Sequence, residues 1–375
     1  MRLLFVGNAD NPLLVDLALE LKRLRPRAVI DIISERPSRH PQAQAAFDNV
    51  RFPAADSRWR SVRGIKFIWY LIAYSRLLAS MPDVYDAVHV FYLSGIWGAL
   101  ADRLARKGRR LVVTLFGSDI YRTSRLMKPF QRRLLLRASR ITASNADTLA
   151  NAHGTFDLTG RDRRIVRFGL RPLDLLAGMR NIERSTHKGS LGIPADRTLV
   201  VAGTNASRRQ HHVDIIAAVR ALPEEQRDRV FMIVPMTMGG DAEYIKEVRS
   251  ACVESGLEHR IITELMTNEE LARLRCATDV MIQVQPTDQL SGAMQEHLFA
   301  GSVVITGAWL PYDVFREADV RFWTVHDRVE LGGALDECLK ELDVRRAACL
   351  GNADPIMRLS GWANNAPRWS ALYDP

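Results

Sequence analysis

The sequence predicts two tandem doubly wound α/β domains, and three observations carry that expectation. Short apolar runs alternate with longer amphipathic segments along nearly the whole chain, the pattern of βα units around a parallel sheet. The alternation breaks at Arg171–Ser190, where charges and glycines interrupt it, and then restarts. The 375 residues suffice for two cores, and 47% hydrophobic with 25% charged residues is the composition of a folded globular chain.

Leu3–Val6 reads as the first buried strand; four apolar residues before Gly7 and Asn8 are too few for a secretory core. A helix over 13–24 follows, capped by Asp10 or Asn11. The next strands fall at Val29–Ile33, Ala87–Phe91, Leu111–Leu115, Arg140–Ala143 and Ile165–Phe168. Helices between them fall at 62–80, 95–107, 128–138 and 145–151. The apolar tract Ile65–Ala79 includes Lys66 and Arg76 and is shorter than the roughly 20 residues a membrane span needs. After the expected linker over 171–190, strands follow at Thr198–Ala202, Val230–Val234, Arg260–Thr263, Val280–Gln283, Val303–Thr306 and Val320–Thr324. Helices near 213–221, 241–254, 268–275, 291–300 and 329–341 separate these. The domains are therefore expected at 1–170 and 191–354, with a terminal helix in 355–375.

Charge divides with the domains. Residues 1–170 hold 29 Lys and Arg against 14 Asp and Glu, and the remainder holds 23 against 29, so the first part carries +15 and the second −6. That asymmetry predicts a first domain facing something anionic: a nucleic acid, a membrane surface or a phosphorylated substrate. The basic residues come without interleaved aromatics or a nucleic-acid motif, so no nucleic-acid partner is expected. The four cysteines form no CxxC pair, which argues against a structural zinc or a disulfide framework and for a reducing, cytoplasmic setting.

Ligands of such domains bind at the carboxyl ends of the strands, and the cleft between the two sheets is the natural place. After the first strand, Gly7, Asn8 and Asp10 form a polar loop. It lacks GxGxxG, which removes the main support for a nicotinamide or flavin enzyme. Gly117, Ser118 and Asp119 follow the strand Leu111–Leu115, and His89 lies near the end of an apolar strand, where a satisfied core residue is the commoner role. In the second domain Gly203, Asn205, Arg208 and Arg209 combine backbone approach with guanidinium donors for a phosphate. Ser291 and Gly292 open a helix whose first N–H groups favour a pyrophosphate. Glu296 lies five residues into that helix, placed to accept both hydroxyls of a ribose, and Asp288 precedes it by eight residues in a loop that would face a sugar.

Asp288 and Glu296, followed by Phe299-Ala300-Gly301 and Val303-Val304-Ile305, resemble the E-x7-E element of retaining GT-B glycosyltransferases, family 4 above all, in the form D-x7-E. Val112–Asp119 is similar to that family's VVTxHGSD, Ile141–Asp147 to its strand-then-Ser boundary, and Met266–Val280 to the segment before its sugar-binding loop. The resemblance covers nearly the whole chain. It implies two Rossmann-like domains, the first binding the acceptor and the second the nucleotide sugar, and a terminal helix, with Trp362 and Trp369, crossing back to the first domain. Phe116 and Phe91 stand where the family has His, Asp288 where it has Glu, and Thr204 where an Arg often follows the strand Gly. A partial likeness to inverting fucosaminyl-lipid transferases is carried by Phe116–Tyr121, Gly203-Thr-Asn with His211, Val234-Pro-Met and Glu243–Arg249.

The resemblance implies transfer of a sugar from a nucleotide-diphosphate donor to a free or lipid-linked saccharide in surface polysaccharide synthesis, retaining, with no metal or cofactor. Arg208, Arg209 and the Ser291–Gly292 start would hold the diphosphate, Glu296 the ribose and Asp288 the transferred sugar. An inverting enzyme would need a base, for which Asp119, Asp10 and His89 are the candidates. A sugar-nucleotide 2-epimerase of the same architecture and a basic nucleic-acid-binding protein stay open as alternatives. Arg58, Arg60, Arg63 and Lys66 beside tryptophans, with Arg132 and Arg133, predict peripheral docking on the anionic inner face of the cell membrane.

Overall fold

The computed structural model describes residues 1–38, 41–53, 65–82, 84–121 and 123–374. The chain forms two compact units, Met1–Gly169 with Trp362–Pro375, and Leu170–Gly361.

The first unit is built on seven parallel strands: β1 Arg2–Gly7, β2 Val29–Ser34, β3 Asn49–Arg51, β4 Ala87–Phe91, β5 Leu111–Thr114, β6 Arg140–Ala143 and β7 Asp162–Ile165. Their order is β3-β2-β1-β4-β5-β6-β7. The chain winds outward from β1 in one direction and resumes at β4 in the other, so the switch point lies between β1 and β4. These inner strands are apolar throughout because helices cover both faces. One face packs on helices Ile65–Ala79, Ala101–Lys107 and Lys128–Arg137, through Tyr74, Leu78, Leu104 and Leu134. The other packs on helix Pro12–Leu24 and the C-terminal helix Trp362–Ala371, through Leu17, Leu21, Trp362 and Trp369. Trp369 is fully buried and its Nε1 donates to the Arg167 carbonyl at 2.8 Å.

The second unit has six parallel strands: β8 Thr198–Ala202, β9 Val230–Pro235, β10 Glu258–Ile262, β11 Val280–Gln283, β12 Val303–Gly307 and β13 Trp323–Val325. Their order is β10-β9-β8-β11-β12-β13, with the switch point between β8 and β11.

Residues 171–190 are not a linker. They hold helices Pro172–Met179 and Arg184–Ser190, seated in the second unit by buried Leu173, Leu176 and His187. The terminal helix is two helices, Ala353–Ser360 in the second unit and Trp362–Ala371 in the first, parted at Gly361. The expected strand Ile165–Phe168 lies three residues earlier, at Asp162–Ile165.

Candidate functional site

At the switch point of the second sheet, two loops are tied together. Gly203 ends β8 with φ +66, and a Cβ there would stand 2.7 Å from His212 Nε2, so only glycine lets the chain turn this closely over the histidine. Its N–H bonds the Ile282 carbonyl of β11 at 2.9 Å. Gln210 Nε2 donates to Gln285 Oε1 at 2.5 Å, and Arg209 Nη2 to Thr287 Oγ1 at 2.6 Å, so Arg209 bridges the loops after β8 and β11. Asn205 shapes the first loop by accepting from the Ser207 N–H at 3.0 Å. Arg208, expected beside it on a phosphate, is directed to Glu247 at 2.5 Å and Asp241 at 3.5 Å, over the Tyr244 ring.

Ser291 caps helix Gly292–Phe299, its Oγ accepting from the Met294 N–H at 3.2 Å and donating to Gln283 Oε1 at 2.9 Å. Glu296 is paired through Oε2 with Arg275 Nε at 3.0 Å, while Oε1 lies 4.0 Å from where a Cβ on Gly292 would stand. The carboxylate is thereby fixed against the opening turn of its helix. Asp288 differs from expectation: Tyr312 Oη donates to its Oδ2, and Gln283 Nε2 donates to Tyr312 Oη at 2.7 Å. Burial pushes the Asp288 carboxyl above its ordinary 3.8, and the Tyr312 hydrogen bond opposes that. Its geometry is that of a clasp on the 285–291 loop.

At the switch point of the first sheet, Asn8 and Asp10 after β1, Glu35 and Arg36 after β2, and Tyr92 and Trp97 after β4 line a cavity of about 1030 Å³. Helix Ile65–Ala79 adds Lys66, Phe67 and Tyr70. Gly7 does not line it; a Cβ there would meet the Leu14 side chain of the first helix at 2.9 Å, so this glycine serves the close packing of strand on helix. Asp10 accepts from Ser38 Oγ at 2.7 Å. Glu35 accepts from Trp97 Nε1 at 2.9 Å, and burial raises its carboxyl above the ordinary 4.5. Glu35 carries no motif; its place directly behind an apolar strand was the one signal for it.

Two expected bases are spent internally. His89 is wholly buried, with Nδ1 2.7 Å from Tyr373 Oη and Nε2 2.7 Å from Thr114 Oγ1; burial drives its pKa far below 6.5. Asp119 accepts the N–H groups of Leu93 at 2.8 Å and Phe116 at 3.0 Å, and so pins the loops after β4 and β5. Gly117, at φ +78, turns the chain into the short helix opened by Ser118, and neither residue lines the cavity. Of the expected membrane-facing residues, Arg58, Arg60 and Arg63 lie outside the described residues. Lys66 lines the cavity, Arg132 Nε donates to the Phe156 carbonyl at 3.2 Å, and Arg133 pairs with Asp102. Among the described residues no group of three His, Cys, Asp or Glu side chains could hold a metal ion, and no helix is long and apolar enough to cross a membrane.

Residues 2–147 match the family model for glycosyl transferase 4-like domains. Sucrose-phosphate synthase from Thermosynechococcus elongatus superposes with a TM-score of 0.76 at 14% identity, covering 100% of this chain and 98% of that one. The chain has a GT-B fold, and its first domain is similar to glycosyl transferase 4-like domains. Anabaena HepE in complex with UDP-glucose superposes on this chain with a TM-score of 0.73 at 15% identity, covering 99% and 98% of the two chains. WaaG, a glycosyltransferase involved in lipopolysaccharide biosynthesis, gives 0.72 at 13% identity, with 99% of each chain covered. No curated protein matches it in sequence. At these identities the solved structures speak to the chain's fold alone.

Proposed function

We propose that the second unit binds a nucleotide-diphosphate sugar and that the enzyme transfers the sugar, with retention, to a free or lipid-linked saccharide in surface polysaccharide synthesis. The observation that carries the donor assignment is the switch point of the second sheet. There Arg209, the Ser291–Gly292 helix start and the anchored Glu296 carboxylate share one corner of the unit. Arg209 and the helix start supply positive field for the diphosphate, and Glu296 accepts ribose hydroxyls. HepE, solved with UDP and with UDP-glucose, and the lipopolysaccharide enzyme WaaG share the fold and fit this class of substrate.

In the retaining reaction the bond from the sugar's anomeric carbon to the diphosphate breaks, with its electron pair leaving on the phosphate oxygen. The acceptor hydroxyl attacks from the same face, and its proton passes to the departing diphosphate. No protein nucleophile takes part; the enzyme contributes position and stabilisation of the leaving group. Retention is favoured over inversion because His89 and Asp119, two of the bases that inversion could use, are held in internal hydrogen bonds. The reading requires no metal.

Incubation with labelled sugar nucleotides and saccharide acceptors, with mass spectrometry and anomeric NMR of the products, tests it. The expected products are nucleoside diphosphate and an acceptor bearing the sugar in the donor's own configuration, unaffected by EDTA. An epimerised nucleotide sugar with no transfer overturns the reading in favour of a 2-epimerase.

A further inference from the structure

The transfer reading uses the Glu296 carboxylate and leaves the residues behind it without a task. Arg275, His297 and Ser302 carry no motif, yet they form a closed, buried circuit that ends on that carboxylate.

Arg275 lies in the last turn of helix Asn268–Ala277, is 6% exposed, and stands beside the core residues Ala272 and Cys276. Its Nε donates to Glu296 Oε2 at 3.0 Å and its Nη1 to His297 Nε2 at 3.1 Å. A guanidinium cannot accept, so His297 Nε2 is the bare nitrogen and the ring proton sits on Nδ1. Nδ1 faces Ser302 Oγ at 3.4 Å, and Ser302 Oγ donates to the Arg275 carbonyl at 3.3 Å. The circuit closes on the residue where it began. His297 is fully buried, and burial together with the Arg275 charge drives its pKa well below 6.5, which keeps the ring neutral and able to accept.

Stability alone does not call for this arrangement. A cation among apolar side chains is costly unless paired, and replacing a buried ion pair by apolar residues of like volume is often neutral or stabilising. What the circuit does is fix one oxygen of Glu296 in direction. The other, Oε1, is left facing the opening turn of helix Gly292–Phe299, 4.0 Å from where a Cβ on Gly292 would stand. Among the described residues Arg275 is the one cation paired with Glu296.

We propose that Arg275 is a positioning residue, and that the choice between a ribonucleotide and a 2′-deoxyribonucleotide is set through it. This rests on the donor reading of the second unit and adds what makes its carboxylate selective. A carboxylate free to turn can follow the one hydroxyl that a deoxyribose ring retains. One held by a guanidinium accepts at a fixed place, so a missing hydroxyl leaves an acceptor unmet in a part-buried site. The same fixed charge opposes a phosphate on the 2′ position.

Calorimetry on the full chain with UDP, GDP and ADP, each against its 2′-deoxy form, tests this. The wild type should prefer the ribose form of the nucleotide it binds by about tenfold or more. Arg275→Met should cut that preference to about threefold or less, chiefly by weakening the ribonucleotide. His297→Leu should lower it in part, whereas His297→Gln, which keeps an acceptor for Arg275, should retain it. In a Glu296→Gln background Arg275→Met should change the preference no further, because the effect passes through the carboxylate. Circular dichroism melts show which variants fold, and the two His297 variants carry the test if Arg275→Met does not. Ribo and deoxy affinities that fall in equal proportion give Arg275 a structural role only and overturn the proposal, as does a wild type that binds both forms alike. Binding of none of the nucleotides removes the donor reading and the proposal with it. A ribose preference that Arg275→Met erases, in a protein that turns over no sugar nucleotide, leaves the proposal standing and sinks the transfer reading.

Discussion

Glu296 and Asp119 are both carboxylates beside strand ends, and their partners give them opposite roles. Glu296 has one oxygen on Arg275 and the other toward the start of its helix, so Glu296→Ala should remove charge-assisted hydrogen bonds to a nucleotide. At about 1.5–3 kcal/mol this corresponds to roughly 10- to 150-fold in affinity by calorimetry. Unchanged affinity in a folded variant removes Glu296 from the donor site. Asp119 instead accepts only backbone N–H groups in a dry setting, and burial pushes its carboxyl from 3.8 up to about 6. A carboxyl raised on folding contributes stability that is fully present below the unfolded pKa and lost as pH rises through the folded one. Stability should therefore fall by roughly 3 kcal/mol between about pH 4 and pH 6 on account of this group. Asp119→Asn should abolish that portion of the slope and, by turning an amide donor toward N–H groups, cost about 1–3 kcal/mol below pH 4, a deficit that shrinks as the wild-type carboxyl ionises. Urea unfolding across that range decides, and an identical slope in the variant rules the account out. The sequence showed which carboxylates stand at strand ends, but not their partners. Asp288 pointed to a sugar until Tyr312, 24 positions away, took its oxygen.

Elements were legible where burial is complete. Ala87–Phe91, Arg140–Ala143, Thr198–Ala202 and Val280–Gln283 coincide with the apolar runs that predicted them. Edge elements were not. β7 reads Asp-Arg-Arg-Ile, is mostly exposed, and pairs only with β6, so its hydrogen bonds leave no hydrophobic trace. Helices Pro172–Met179 and Arg184–Ser190 were hidden by their charges and glycines, although two leucines suffice to seat the first. At the same scale Gly203 is a hinge between strand and site. Gly203→Ala meets both a left-handed backbone, at about 1 kcal/mol, and His212 Nε2 at 2.7 Å. The loop must shift, and with it Gln210 and Arg209. Nucleotide affinity should fall along with melting temperature. If thermal-shift measurements with UDP show wild-type affinity, the loop does not need this geometry.

For the whole molecule, the doubly wound class followed from alternation alone, since helices on both faces force the buried strands to be apolar throughout. The return of helix Trp362–Ala371 to the first unit rests on Trp362 and Trp369 finding a core hundreds of residues earlier, which no local pattern reports. Charge is the other property of the whole chain, +15 in the first 170 residues and −6 after them. Part of it is neutralised at close range, as where Asp102 takes Arg133 and Arg137. Exposed apolar side chains lie on the same unit. Ile68 and Ile72 are 56% and 47% exposed on a helix whose Phe67 ring lies 6.0 Å from that of Phe130, and Phe130 belongs to the arginine-rich helix Lys128–Arg137. Leu126, just before that helix, is 79% exposed. We propose that this surface meets an anionic leaflet, each basic residue adding about 1 kcal/mol near the membrane. Screening over about 8 Å at physiological salt makes that attraction easy to remove. In flotation with vesicles, the protein should bind phosphatidylserine-containing membranes at low salt, release as salt rises, and ignore neutral phosphatidylcholine. Ile68→Ser with Ile72→Ser should weaken the binding while leaving its salt dependence intact. Equal recovery with neutral and anionic vesicles would refute membrane docking and point to a free saccharide as the acceptor.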